Sequence, residues 1–311
     1  MTLLRAIGVA ILAALAVGLG ACGGDDTATT TATTTATAPT PSSTPIRIGT
    51  KDFPEQFILG ELYGQALEAE GFDVELTPDI GSSEIIHQAL GNGALDMYPE
   101  YIGVLLSEVA NNTMRPSSSD AAYRLAQKYE ERRGFTLLTP TPFSDSNALA
   151  VTPAFARRKG VRSIADLRRL SPRPRIAAPK EFRSRYEGLV GLKDIYSVRR
   201  LRFLPLADRR YAALDSGRAD VALVFTTDSQ LVGDKYVVLA DPRGLFASGH
   251  VAPIISKKVL AAHGRGLRKA IDAVSAKLTT VAMRMMNRAV VVGRRTPGEV
   301  ARQFLRAQGL L

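Results

Sequence analysis

The side chains able to do covalent or metal chemistry are few and scattered. The 311 residues hold one cysteine, Cys22, and three histidines, His87, His250 and His263. A single thiol excludes an intrachain disulfide, a cysteine–zinc cluster and a CxxC redox pair. The histidines show no HExxH or other ligand spacing, so no metal and no other cofactor is expected. There is no GxSxG elbow, and spacing marks no Ser/His/Asp set. The acidic pair Asp96 and Glu100 carries no sign of an acid/base couple. Catalysis is therefore not expected. The residues left to explain lie in short loops: 51–56 (KDFPEQ), 81–84 (GSSE), 98–101 (YPEY), 145–147 (DSN), 225–228 (FTTD) and 247–250 (ASGH). They are rings, amides and hydroxyls, which suit binding rather than turnover.

Such loops need a scaffold that brings them together. Strands are predicted at residues 46–50, 72–76, 95–98, 147–151, 175–178, 202–205, 221–225, 236–239 and 251–255. Pro54 and Glu55 open a helix whose stripe is Ile58, Leu62, Ala66 and Ala69, and Gly71 closes it. Further helices are predicted at 84–90 behind a Ser cap, 100–109, 120–133, 163–170, 188–195 and 209–216, then a single helix at 267–287. Ser163 with Asp166 forms a capping box, and Thr296-Pro297-Gly298-Glu299 caps a last helix to 307. The alternation implies an α/β fold with parallel sheets covered on both faces. The pattern restarts after residues 147–151, so one lobe is inserted into another. The expected boundaries are 46–148 with 250–311 for lobe 1, and 149–249 for lobe 2. The chain would cross near 147–152 and return near 250–255. Ligands in open α/β sheets sit beyond the carboxyl ends of the strands, which is where these loops fall.

The N-terminus reads as an address. Arg5 precedes an apolar run over residues 6–19, too short to span a bilayer comfortably. It ends in Leu19-Gly20-Ala21-Cys22, which resembles the lipobox of bacterial lipoproteins. The resemblance implies a signal peptide over residues 1–22 and an acylated Cys22 as mature N-terminus. Residues 23–45 are nearly all Thr, Ala, Ser, Pro and Gly and should form a disordered tether. The expected location is the cell envelope, on the outer face of the cytoplasmic membrane.

The net charge of +10 is unevenly spread. Lys+Arg against Asp+Glu is 7 to 16 in residues 46–150, 20 to 10 in 151–248 and 12 to 2 in 249–311. The Arg-rich pieces lack interleaved aromatics, so nucleic acid is not an expected partner. A solvated basic surface, drawn to anionic envelope polymers, fits better.

Several segments resemble the substrate-binding proteins of osmoprotectant ABC importers, the glycine betaine/choline family. They are IRIGTKDFPEQFILGELYGQALE, DIGSSEIIHQAL, GALDMYPEYIGVLL, NALAV, YEGLVGLKDIY, GRADVALVFTTDSQL, VVLADP, VAPII and TPGEVARQFLRAQGLL. The resemblance covers residues 46–311 and implies a two-lobed periplasmic-binding-protein clamp, type II-like, with two crossover strands. It implies a monomeric solute-binding subunit that delivers a small molecule to a membrane permease. The family holds a quaternary ammonium among ring faces by cation–π attraction. On this sequence Tyr101 matches a box tyrosine, and Phe225 stands where the family usually has one. Asn147 and Gly249 stand where rings are lost, while Gln56 and Ser83 match polar contact positions. Phe53, Ser82, Thr226 and His250 complete the expected lining. Losing two rings at about 0.5–2 kcal/mol each weakens ammonium binding by about one to three decades. A bulkier, polar or aromatic ligand is therefore an open alternative, and an envelope adhesin a more distant one. Other roles also stand open. Phe225 suits core packing, His250 a hinge-loop surface, and Lys51 a pair with Asp52 or Glu55. Asp145 suits a pair with a basic residue of the middle lobe.

Overall fold

The computed structural model describes residues 44–112, 116, 118–206, 209–246 and 249–311. The expected signal peptide, Cys22 and the expected tether up to residue 43 lie outside the described residues. The first sheet contains β1 (Ile46–Gly49), β2 (Val74–Thr77), β3 (Met97–Tyr101) and β4 (Phe135–Leu137). The second contains β5 (Asn147–Val151), β6 (Arg175–Ala178), β7 (Arg202–Pro205), β8 (Val221–Phe225) and β9 (Val237–Val238), and β10 (Val251–Ser256) returns to the first. The orders are β2-β1-β3-β10-β4 and β7-β6-β8-β5-β9.

Neither sheet is wholly parallel, which corrects the sequence expectation. β1, β2 and β3 are parallel, as are β6, β7 and β8, but β10 runs antiparallel to β3 and β4, and β5 antiparallel to β8 and β9. The reversed strand in each sheet is the one that arrives from the other lobe. All of β5 lies in the second sheet, Asn147 opposite Phe225. Residues 147 and 148, assigned to lobe 1 by the sequence boundary, thus pair in lobe 2.

The two lobes share one device at the start of each sheet. Arg47 on β1 grips Asp96 just before β3, and Arg175 on β6 grips Asp220 just before β8. In each, backbone N, Nε and Nη2 of the arginine all donate to the carboxylate, at 2.8–3.0 Å. These forks lock the register of neighbouring parallel strands.

The helix Pro54–Ala69 packs on the first sheet through Ile58, Leu59, Leu62 and Leu67, all fully buried. Each contributes about 1.5–3 kcal/mol by leaving water. Gly71 ends it at φ 84°, a conformation costly for other residues. Tyr63 Oη bonds Ser275 Oγ at 3.0 Å, which satisfies two polar atoms inside this core. Both capping boxes form, Ser163 with Asp166 and Thr296 with Glu299. All hydrophobic clusters among the described residues fall between Ile46 and Leu305, so the body from residue 44 carries its own cores.

The tail departs from the single helix expected at 267–287. One helix runs Lys257–Lys277 with a kink at Gly264, and a second runs Thr280–Val291. The break has a local cause: Thr279 Oγ1 caps the second helix by accepting from Ala282 N. That second helix bridges the lobes. Arg284 Nε donates to the Thr226 carbonyl of lobe 2, and Asn287 Nδ2 donates to the Thr227 carbonyl. No helix of the described residues is long and apolar enough to cross a membrane.

Candidate functional site

A cavity of about 1230 Å³ opens between the two sheets. Tyr101 and Val104 line it from lobe 1, and Asn147, Tyr186, Glu187 and Phe246 from lobe 2. Ser144, Asp145, Ser146 and Gly249 of the crossover segments form its base, with Thr226 beside them.

Tyr101 ends β3 and is nearly buried. Its ring is already engaged by the protein. Phe53 stacks at 6.1 Å between centroids, and Lys51 Nζ lies 4.4 Å from the ring centre. Lys51 pairs with Glu100 at 2.6 Å and donates to Ser83 Oγ at 3.0 Å, not with Asp52 or Glu55. Gln56 is fully buried, its amide joining Pro99 O and Lys51 N. Phe53, Gln56 and Ser83 therefore gather around Tyr101 and hold it, one layer behind the cavity wall. Ser82 is exposed and bonds Glu84 at 2.6 Å, outside the cavity.

The Tyr101 hydroxyl donates to Glu55 Oε1 at 2.8 Å, and Asn287 Nδ2 donates to Oε2 at 2.7 Å. Glu55 is buried, and its carboxyl is pushed above the ordinary carboxylate range, mainly by desolvation. Asp145 is pushed up strongly, first by burial and then by the Glu55 charge. Its Oδ1 is shut off from solvent without a partner among the described residues. The expected pairing of Asp145 with a basic residue is thus replaced by an acid pair, Glu55 and Asp145. Burial lifts the Tyr101 hydroxyl far out of the titrating range, so it stays a donor.

The positions of the lost rings have different causes. Asn147 Nδ2 donates to Glu187 Oε2 at 3.1 Å, a polar pair in the wall where a ring would stand. At Gly249 no side chain fits, because a Cβ would lie 1.7 Å from the Asp145 carbonyl oxygen. The Gly249 N–H is held by Ser144 Oγ and Ser146 Oγ, which closes the crossover. Gly249 therefore permits two backbone segments to touch. Thr226 Oγ1 accepts from Ser146 N at 2.9 Å and donates to Ser144 O at 2.6 Å, at the cavity edge. His250 bonds the carbonyls of Thr141 and Phe143 through Nδ1, away from the cavity. Phe225 is 40% exposed, with the Arg210 guanidinium 5.3 Å from its ring, and lies neither in the core nor in the cavity.

Tyr186, Glu187, Phe246 and Glu55 were not singled out from sequence. Tyr186 and Glu187 open the YEGLVGLKDIY segment, so a signal was present. Glu55 was read as a helix-start acid and as an alternative partner of Lys51, not as a partner of the Tyr101 hydroxyl.

Two α/β lobes joined by two crossovers, with a cavity at the carboxyl ends of the strands, define a two-lobed solute-binding clamp. Residues 44–307 match the substrate-binding domain of ABC-type glycine betaine transport systems. The chain belongs to that family, and it is the solute-binding subunit of an osmoprotectant-type ABC importer. It is 32% identical to a glycine-betaine-binding protein of Pseudomonas aeruginosa over 86% of this chain and 88% of that one. It is 27% identical to an ergothioneine transport permease/binding protein of Helicobacter pylori, over 86% of this chain but 48% of that longer protein. A crystal structure titled as a glycine betaine/carnitine/choline ABC transporter shares the fold, with a TM-score of 0.78 at 23% identity. It covers 85% of this chain and 99% of that one.

Proposed function

We propose that the chain captures an ammonium zwitterion larger and more polar than glycine betaine and passes it to its membrane permease. The observation that carries this is the Asn147–Glu187 pair in the cavity wall. A trimethylammonium has no hydrogen to give a carboxylate, whereas a betaine bearing an N–H-rich side group does. Tyr101, Tyr186 and Phe246 supply ring faces at the wall, and Glu187 accepts hydrogen bonds from the N–H groups of the ligand. Names of relatives, glycine betaine for one and ergothioneine for another, bracket this ligand class.

Calorimetry of the wild type with glycine betaine, carnitine and ergothioneine tests the reading. Tyr101→Ala should weaken every ligand by about tenfold, or about 1–2 kcal/mol. Glu187→Gln should weaken only a ligand with N–H groups. Wild-type binding of glycine betaine below about 10 μM, unchanged in Glu187→Gln, refutes the larger ligand. The protein would act as a monomer, without catalysis, held at the outer face of the cytoplasmic membrane by acylated Cys22. Mass spectrometry of the mature N-terminus that finds Cys22 without acyl chains would refute the anchor.

A further inference from the structure

The helix Thr280–Val291 turns Met283, Met286 and Asn287 inward but leaves an apolar stripe in solvent. Val281 is 66% exposed, Met285 53% and Val292, at the helix end, 59%. With Arg288 these stand at spacings of 4, 3 and 4, which is one face of a helix. The charge along this segment is mostly of one sign, with Glu299 just beyond it facing Arg295. Residues 273–298 contain Lys277, Arg284, Arg288, Arg294 and Arg295, and neither Asp nor Glu. Arg284 is spent on the Thr226 carbonyl, while Lys277, Arg288, Arg294 and Arg295 are exposed around the stripe. Isolated exposed apolar residues need no explanation, but three on one helix face amid an excess of cations do.

We propose that this face lies on an anionic phospholipid bilayer, with Val281, Met285 and Val292 entering the headgroup boundary and the arginines on lipid phosphates. Amphipathic helices with basic rims bind such surfaces by apolar insertion plus charge attraction. The contact is separate from any acyl anchor, because it belongs to the folded body. It would hold the crossover side of the clamp against the membrane, since the same helix bonds both lobes.

Sedimentation of the body from residue 44 with vesicles tests it. Vesicles of phosphatidylglycerol and phosphatidylcholine in equal parts should bind the protein, and pure phosphatidylcholine should bind about tenfold less. The triple change Val281→Ser, Met285→Ser, Val292→Ser alters no charge and should lower partitioning at least about fivefold. Arg199→Gln, Arg200→Gln, Arg202→Gln removes three exposed charges of lobe 2 and should lower it less than about twofold. Melting points within about 2 °C of wild type show that the variants are folded. If the serine variant binds like wild type, or the lobe 2 variant loses as much, adhesion is only the charge of a basic body and the proposal falls. If neither vesicle sediments the protein, it also falls, and the stripe is left to a protein partner such as the permease.

Discussion

Replacing Lys51 by Met removes half of an ion pair from which water is excluded. The Lys51 and Glu100 side chains are 6% and 1% exposed, with nitrogen and oxygen 2.6 Å apart. Glu100 Oε1 also accepts from the Tyr101 N–H at 2.7 Å, but Oε2 has no partner among the described residues. Without the ammonium, one backbone N–H is all that balances a buried carboxylate. Such a loss costs about 3–5 kcal/mol. Adding Glu100→Gln removes the orphaned charge and keeps an acceptor for the Tyr101 N–H. The double variant should then lose only about 1–2 kcal/mol and be more stable than Lys51→Met alone. Glu100→Gln alone leaves the buried ammonium unpaired and also costs stability, so the cycle should give a coupling of at least about 2–3 kcal/mol. Urea unfolding of all four proteins, followed by circular dichroism, reads it from the first-lobe transition. A loss below about 1 kcal/mol for Lys51→Met, or additive single changes, would show that the pair is solvated and does not hold Tyr101.

Gly249→Ala should destabilise the body by more than about 2 kcal/mol, because the new Cβ meets the Asp145 carbonyl. A Tm equal to wild type would refute that packing. Tyr101→Phe keeps the ring but takes the donor from buried Glu55, and should cost about 1–3 kcal/mol in urea unfolding. An unchanged midpoint would mean that water or Asn287 replaces the hydroxyl. Glu130, raised by burial from 4.5 to about 7, keeps its proton in the folded chain after the unfolded chain has lost it. Its contribution is therefore full below about pH 4.5 and falls by up to about 1.4 kcal/mol per pH unit as pH rises through 7. Glu130→Gln should flatten that slope, and a slope that stays the same sinks the assignment.

Signals that act within a few residues were legible. Thr296 and Glu299 satisfy each other's helix start, so the last helix was placed from sequence to its cap. β6, β7 and β8 were placed to the residue, because short apolar runs between turn residues leave little choice. β4 was not read, since Phe135-Thr136-Leu137 is too short to show a period. The direction of β10 was illegible for a different reason. Its partners Met97 and Phe135 are remote in the chain, and nothing in VAPIIS encodes which way it will pair. The break before Thr280 was overlooked although Leu278-Thr279 carries a cap signal. In the site, Tyr101 and its supports could be named from one lobe's motifs. The Asn147–Glu187 pair could not, because it depends on how the inserted lobe folds onto its own first strand. The crowding at Gly249 is a property of two crossovers meeting, which neither segment states alone.

The strand order also fixes when each lobe can be completed. Every strand of the second sheet comes from one uninterrupted stretch, Asn147 to Val238. The first sheet has β10 between β3 and β4, so Met97 must wait for Ile255 and Leu137 for Ile254. A chain emerging N-terminus first therefore finishes its inserted lobe before the lobe that starts it. Until β10 arrives, β3 and β4 present unpaired edges beside an apolar core, the kind of surface that aggregates. The interval is governed by the length of the insert rather than by any slow local step. Lengthening loops in the second lobe would extend it, while a circular permutation that links residue 311 to residue 44 and opens the chain between β4 and β5 would make the first lobe contiguous and should speed its refolding.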